Sequence, residues 1–217
     1  MKNVLIVGGG VLGQHMASWM GADTKERVIG FVDDTLAPGE EVAPGLGKCL
    51  GPLAAIDELY SQNKFDGLLV AIGYSHRKAR QTVFERLSKD YPIHTFCHSS
   101  VTLGPGAKIG RGCALFPNVF IDQDAILGEN VLVHLGSMVT HYCQVGAHTF
   151  MSAKAILGGK VTTGERVYIG VGVTVMDNIS IADDAFVGAG AVVVKNITDD
   201  GTYVGVPARL LPPKSHR

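Results

Sequence analysis

The chain has few aromatic residues, 7% of its 217 positions with one tryptophan among them. Charge is sparse too. Nineteen Lys and Arg against 20 Asp and Glu leave a formal net charge of −1, so neither a basic nucleic-acid footprint nor a polybasic membrane patch organises the molecule. Its four cysteines (Cys49, Cys97, Cys113 and Cys143) form no C-x-x-C pair and no zinc-finger spacing. They read as free thiols in a reducing, cytoplasmic setting. The apolar run Val4–Val7 is too short for a secretory core and is followed at once by glycines. No stretch approaches the length of a membrane span.

What the chain has in quantity is aliphatic residues at a fixed spacing. From Leu103, steps of six reach Ile109, Leu115, Ile121 and so on to Val193, and Thr163 is the only polar member. Four positions after each comes a second column of small or aliphatic residues, from Ala107 through Cys113, Ser137, Cys143 and Thr149 to Ile197. A period of six fits neither a helix nor a hairpin, but it suits a hexapeptide β-helix, in which a short strand alternates with a corner. Three hexads close one triangular coil, and coils stack at about 4.8 Å, giving an array about five coils tall. Glycines that follow the first column, such as Gly104, Gly110, Gly128 and Gly158, are read as corner residues.

Residues 1–96 follow another pattern. Val4–Val7 reads as a strand, Gly8–Gly13 as a glycine turn, 12–21 as a helix and Arg27–Val32 as a second strand ending at Asp33 and Asp34. A loop rich in Pro, Gly and Glu follows to about residue 51, then a short helix at 53–60, a strand at Gly67–Ile72, a helix at Ser75–Ser88 and a strand at Ile93–Phe96. Strands alternating with helices predict a parallel sheet. The expected organisation is a Rossmann-like α/β domain over 1–96, followed by a β-helix with a C-terminal tail over 97–217.

The turn Gly8-Gly9-Gly10-Val11-Leu12-Gly13 matches a dinucleotide fingerprint, with Asp33 twenty positions on. Glycines there let backbone amides reach a phosphate at a helix N-terminus, whichever nucleotide carries it. About three strands precede the array, half a dinucleotide fold, which favours a sugar nucleotide over NAD. A purely structural turn stays open.

The array, the segment Val139-Thr140-His141-Tyr142-Cys143-Gln144-Val145-Gly146, the pair Gly158-Gly159 and the terminal Gly205-Val206-Pro207-Ala208 together resemble the hexapeptide acyltransferases. With its N-terminal segment, the whole chain is similar to sugar acetyltransferases related to sialic acid O-acetyltransferases and nucleotide-amino-sugar N-acetyltransferases. The resemblance implies a left-handed coil, a homotrimer with sites in the clefts between subunits, and acetyl-CoA as cosubstrate. It implies a nucleotide-linked amino sugar as acceptor, in the synthesis of bacterial surface polysaccharide or glycan precursors. Sugar O-acetylation and a non-catalytic regulatory binding protein on the same scaffold remain as alternatives.

The resemblance also implies roles for individual residues. His141 is the general base, and the amide of Gly159, one coil on, binds the acetyl carbonyl. For the coenzyme the contacts are Phe150, Lys154, Gly159, Lys195, Pro207 and Arg209. For the sugar nucleotide they are Gly8, Gly9, Gly10, Gly13, Asp33, Asp34, Gly73, Tyr74 and Arg77. The chemistry agrees, because acyl transfer needs a proton acceptor that works near neutral pH and a fixed N–H donor for the oxyanion. Three positions depart from the family pattern: Tyr142 where an acid is usual, Phe150 where a second histidine is expected, and Lys154 where a small residue is usual. His134, His141 and His148 are spaced by seven and point to different faces of one chain. A zinc site of the carbonic-anhydrase branch would need a trimer interface to gather them, and no metal is expected.

Overall fold

The computed structural model describes residues 1–23 and 26–212. The chain divides into two compact units, Met1–Ser99 and Ser100–Arg217.

In the first unit, β1 (Lys2–Val7), α1 (Val11–Asp23), β2 (Glu26–Val32), β3 (Glu41–Ala43), β4 (Gly47–Gly51), α2 (Ile56–Ser61), β5 (Gly67–Val70) and α3 (Arg77–Asp90) follow in order; the strand expected at 93–96 adds to this sheet only a single bridge, from Ile93 to Leu68. The sheet order is β3-β4-β2-β1-β5, parallel except for the β3–β4 pair. Val4–Val7 are fully buried, as a strand covered on both faces requires. Leu5, Val7, Leu68, Val70, Phe84 and Leu87 form one core on the α3 side. α1 lays Met16, Ala17 and Met20 against the sheet.

The loop expected up to residue 51 is in fact a hairpin, β3 and β4. Its Gly, Pro and Glu content reads as loop, yet Gly45 and Gly47 adopt positive φ to turn the chain, and Cys49 is fully buried beside Phe31 of β2. Gly30 permits the close approach, because a Cβ there would come within 2.8 Å of the Lys48 carbonyl oxygen.

From Thr102 to Val193 the second unit stacks two-residue strands in three sheets, each strand pairing parallel with the one eighteen residues on, for example Met138↔Ile156 and Val139↔Leu157. The period of six therefore sets the register. From Leu115 to Val193 the first column is buried. Leu103, in the first coil, is 48% exposed. Small polar members of the second column donate to carbonyls inside the coil: Ser137 Oγ to Ser152 O at 2.8 Å and Cys143 Sγ to Gly158 O at 3.0 Å, so burial leaves these donors satisfied. Burial also pushes the Cys143 thiol up from its ordinary pKa, and none of the four cysteines is in a disulfide.

The corner geometry differs from the expectation. The left-handed residue of each corner lies three positions after the first column, recurring from Gly106 to Gly190 and including Tyr142, His148, Lys154 and Arg166. The glycines directly after the first column are needed for a different reason. A Cβ at Gly104 or Gly128 would stand 2.6–2.7 Å from backbone of the next coil. They permit close coil stacking rather than an unusual φ.

Beyond Ile197 the expected loop is also partly strand. Thr202–Val204 pairs parallel with Phe186–Val187 and turns back antiparallel to Arg209–Leu210, so the final sheet gains two strands. The end of the expected tail, 213–217, lies outside the described residues. No helix among the described residues is long and apolar enough to cross a membrane.

Candidate active site

The eighteen-residue register places Gln123, His141, Gly159, Asp177 and Lys195 in one column at a corner of the β-helix. The His141 side chain is 49% exposed. Its ring lies directly over Gly159, where an added Cβ would collide with Nε2 and stand 2.7 Å from Cε1. Only glycine leaves room for the imidazole in this position. Nδ1 faces the preceding coil, 3.8 Å from Asp122 Oδ2. On the other side of Gly159, its amide N–H donates to Asp177 Oδ1 at 2.8 Å. The column therefore holds an outward imidazole with its Nε2 edge over a backbone amide, flanked by two carboxylates.

Neither carboxylate was singled out from the sequence. Asp177 was findable, since it follows Gly159 by one coil. Asp122 sits nineteen positions before His141, so only a side-chain rotamer brings it into reach. Tyr142 projects outward, with its ring edge-on to His141 at 5.6 Å between centroids.

Lys195 stands three coils from His141 on the same column, about 14 Å at the usual strand spacing. With Val193, Tyr203, Arg209 and Leu210 it lines a cavity of about 340 Å³. The structure thus brings Lys195 and Arg209 together, with Pro207 in the turn between the last two strands. Phe150 and Lys154 are not brought to His141 within one chain. His141 turns the corner between the strands Met138–Val139 and Gln144–Val145, whereas Lys154 turns the one between Phe150–Met151 and Ile156–Leu157. Phe150 is 6% exposed, in an aromatic row with Tyr168 and Phe186. The other two histidines of the array also lie apart: His134 stacks on Phe116 at 4.3 Å, and buried His148 contacts Asn130 Nδ2 at 3.0 Å. Among the described residues no group of three or more His, Cys, Asp and Glu is placed to hold a metal ion.

In the first unit, β2 lies on one side of β1 and β5 on the other, so the strand order reverses at β1. The crevice at the carboxyl ends of β1 and β5 is where open α/β sheets bind ligands. The glycine turn leaves β1 there, and Gly73, Tyr74 and Arg77 follow β5. Gly8 packs on Ala71, and an added Cβ on Gly13 would collide with Gly8 O. Gly10 is different: nothing lies within 4 Å of its Cβ position, and α1 begins immediately after it.

Asp33 supports this turn from β2. Its Oδ2 accepts the Gly9 N–H at 2.7 Å, and its Oδ1 accepts the Thr35 amide and hydroxyl. Burial pushes the Asp33 carboxyl up, but hydrogen bonds from the Thr35 side chain and from the Gly9 and Thr35 amides outweigh it and hold the pKa below the ordinary carboxylate value. Asp34 points elsewhere and accepts the Leu53 N–H at 2.8 Å.

No protein-family model matches the chain. Among curated proteins, the UDP-3-O-acylglucosamine N-acyltransferase of Bordetella parapertussis is 34% identical over 105 residues, 46% of this chain and 29% of that protein. A serine acetyltransferase of Mycobacterium tuberculosis is 37% identical over 117 residues, 52% of this chain and 46% of that protein. The chain therefore spans less than half the length of these two relatives. Solved structures match from end to end. PerB from Caulobacter crescentus, in complex with CoA and GDP-perosamine, superposes with a TM-score of 0.86 at 30% identity, covering 98% of each chain. The acetyltransferase domain of PglB from Neisseria gonorrhoeae FA1090 gives 0.87 at 25% identity, over 97% of this chain and 100% of that one. These neighbours share the fold expected here, a small Rossmann-like unit followed by a left-handed parallel β-helix. By its repeat, its two units and this end-to-end likeness, the chain belongs to the hexapeptide-repeat sugar acetyltransferases.

Proposed function

We propose that the chain transfers an acetyl group from acetyl-CoA to the amino group of a nucleotide-linked amino sugar, with His141 as general base. The observation that carries this reading is the His141 imidazole lying over Gly159 at an open corner. The amine nitrogen attacks the thioester carbonyl and forms a C–N bond. His141 Nε2 takes the proton released, and the tetrahedral oxyanion collapses to expel the CoA thiolate. The Gly159 amide is the donor for the oxyanion, a contact that contributes roughly 3 kcal/mol in comparable sites. It serves in that role once Asp177 gives it up.

Acetyl-CoA fits the column that runs from His141 to Lys195. An extended thioester arm follows the coils, and Lys195 and Arg209 receive phosphate at the far end, where the 340 Å³ cavity opens. The nucleotide is assigned to the crevice at β1 and β5, with its diphosphate on the start of α1. PerB, one of the end-to-end neighbours, is itself solved with CoA and GDP-perosamine.

The chain is further proposed to act as a homotrimer. Met138 and Ile156, paired side by side on one outer face, are 38% and 36% exposed, and a three-fold neighbour would cover them. The same symmetry would bring Phe150 and Lys154 of a neighbouring chain toward the His141 corner. Acetyl-CoA consumption measured with UDP-, GDP- and dTDP-linked amino sugars, and with hydroxyl acceptors as the contrast, tests the reading. Turnover of amines is expected. Turnover confined to hydroxyl acceptors would replace it with O-acetylation.

A further inference from the structure

Nε2 of His141 can accept a proton only in the tautomer that carries hydrogen on Nδ1, and a histidine's tautomer is set by what its other nitrogen meets. In this chain Nδ1 meets Asp122, at 3.8 Å from Oδ2. That separation is an ion-pair distance rather than a hydrogen bond, and catalytic contacts commonly tighten when substrate binds.

The orientation of Asp122 is itself fixed. Its Oδ1 accepts the backbone N–H of Gln123 at 2.7 Å, which leaves Oδ2 turned toward the imidazole. Gln123 is held in turn, its Nε2 donating to Asp124 Oδ2 at 3.1 Å and to the Tyr142 hydroxyl at 3.4 Å. Tyr142, the chain neighbour of His141, brings no carboxylate, and its ring meets the imidazole edge-on.

We propose that Asp122, contributed by the preceding coil, is the positioning residue that holds His141 with its proton on Nδ1 and its lone pair on Nε2. It does not touch substrate. It acts through the imidazole, by fixing which ring nitrogen carries the proton. This inference rests on the assignment of His141 as the base, and its test has a readout that does not depend on turnover.

The test compares the wild type with Asp122→Asn, Asp122→Glu and, as a control on the same corner, Asp124→Asn. Asparagine can still accept the Gln123 N–H, so Asp122→Asn keeps the local fold. Long-range ¹H–¹⁵N correlation spectra report the tautomer, with His141 identified by its absence in His141→Asn. In the wild type His141 is expected as the Nδ1–H form. In Asp122→Asn the balance shifts toward Nε2–H, and kcat falls on the order of tenfold, the low end of the loss found when the partner that orients a metal-bound histidine is removed, with KM for both substrates unchanged. Asp122→Glu recovers part of the loss, and Asp124→Asn behaves as wild type. An Asp122→Asn protein that keeps wild-type kcat, or loses kcat while His141 stays in the Nδ1–H form, overturns the inference. A wild type with the expected tautomer but no turnover of any amino sugar would instead sink the proposed reaction and leave the positioning contact standing.

Discussion

The amide N–H of Gly159 donates to the carboxylate of Asp177 at 2.8 Å, and the same contact recurs one hexad later, where the Glu165 N–H donates to Asp183 Oδ1 at 2.8 Å. Among the described residues a carboxylate one coil on thus caps an outward corner amide at both Gly159 and Glu165. At the Glu165 corner the cap is structural. At Gly159 it covers the amide assigned to the acyl carbonyl oxygen.

That duplication supplies its own control. Asp177→Ala and Asp183→Ala should each lower the melting temperature slightly, since each loses one backbone hydrogen bond, a contribution of roughly 1 kcal/mol or less at an exposed site, and Asp183 also its 3.9 Å ion pair with Arg166. Steady-state kinetics should separate them. Asp177→Ala is expected to lower KM for acetyl-CoA by freeing the amide, whereas Asp183→Ala leaves the kinetics unchanged. Identical kinetics in the two variants would remove Gly159 from the acyl site.

The glycine turn predicts opposite outcomes for two of its members. Nothing surrounds the Cβ position of Gly10, so Gly10→Val should fold with a near wild-type melting temperature while raising KM for the nucleotide sugar and sparing that for acetyl-CoA. Gly13→Ala forces a methyl group into Gly8 O and should destabilise the first unit outright. Should Gly10→Val leave the acceptor KM unchanged, the nucleotide binds elsewhere.

Asp33 ties the stability of that turn to pH. Its folded pKa is depressed, so the carboxylate contributes stability that is fully present above the ordinary value of about 3.9 and is lost as pH falls through the lower, folded value. The difference in melting temperature between wild type and Asp33→Asn should be constant from pH 7 down to about 5 and shrink below about 3.9. A difference that stays constant through that acid range would show that the hydrogen bonds from Gly9 and Thr35 do not outweigh burial.

Assembly is tested on the exposed pair Met138 and Ile156. Sedimentation of the wild type should give three chains per particle, and Met138→Asp combined with Ile156→Asp should give monomers that keep the β-helix circular-dichroism signal. A wild-type monomer at micromolar concentration would contradict both the trimer and a site shared between subunits.

The β-helix was legible because its register is one number. A period of six with three faces forces each residue to stack on the one eighteen positions on, so the column of His141, Gly159 and Lys195 follows from counting. Burial of the two inward columns follows as well. The hairpin at 41–51 was hidden, since its Gly, Pro and Glu read as loop and its support comes from pairing with β2, a long-range contact that local composition does not encode. The strands after Ile197 were hidden for the same reason. Asp122 was missed because stacking aligns backbones in steps of eighteen, whereas its approach to His141 crosses the column by one position and depends on a rotamer fixed by the Gln123 amide. Asp33 reads as a sugar-nucleotide contact, yet its carboxylate is engaged by the turn it follows.

The central claim is that His141 removes the acceptor's proton, and the most direct measurement is the turnover number of His141→Asn with acetyl-CoA and whichever amino sugar nucleotide the wild type prefers. The side chain is half exposed and asparagine fits the same corner, so melting temperature and both KM values should stay near wild type. The turnover number should fall by about 10²- to 10⁴-fold, the usual range for loss of a positioned base. A folded His141→Asn protein that turns over within a few-fold of wild type would contradict it.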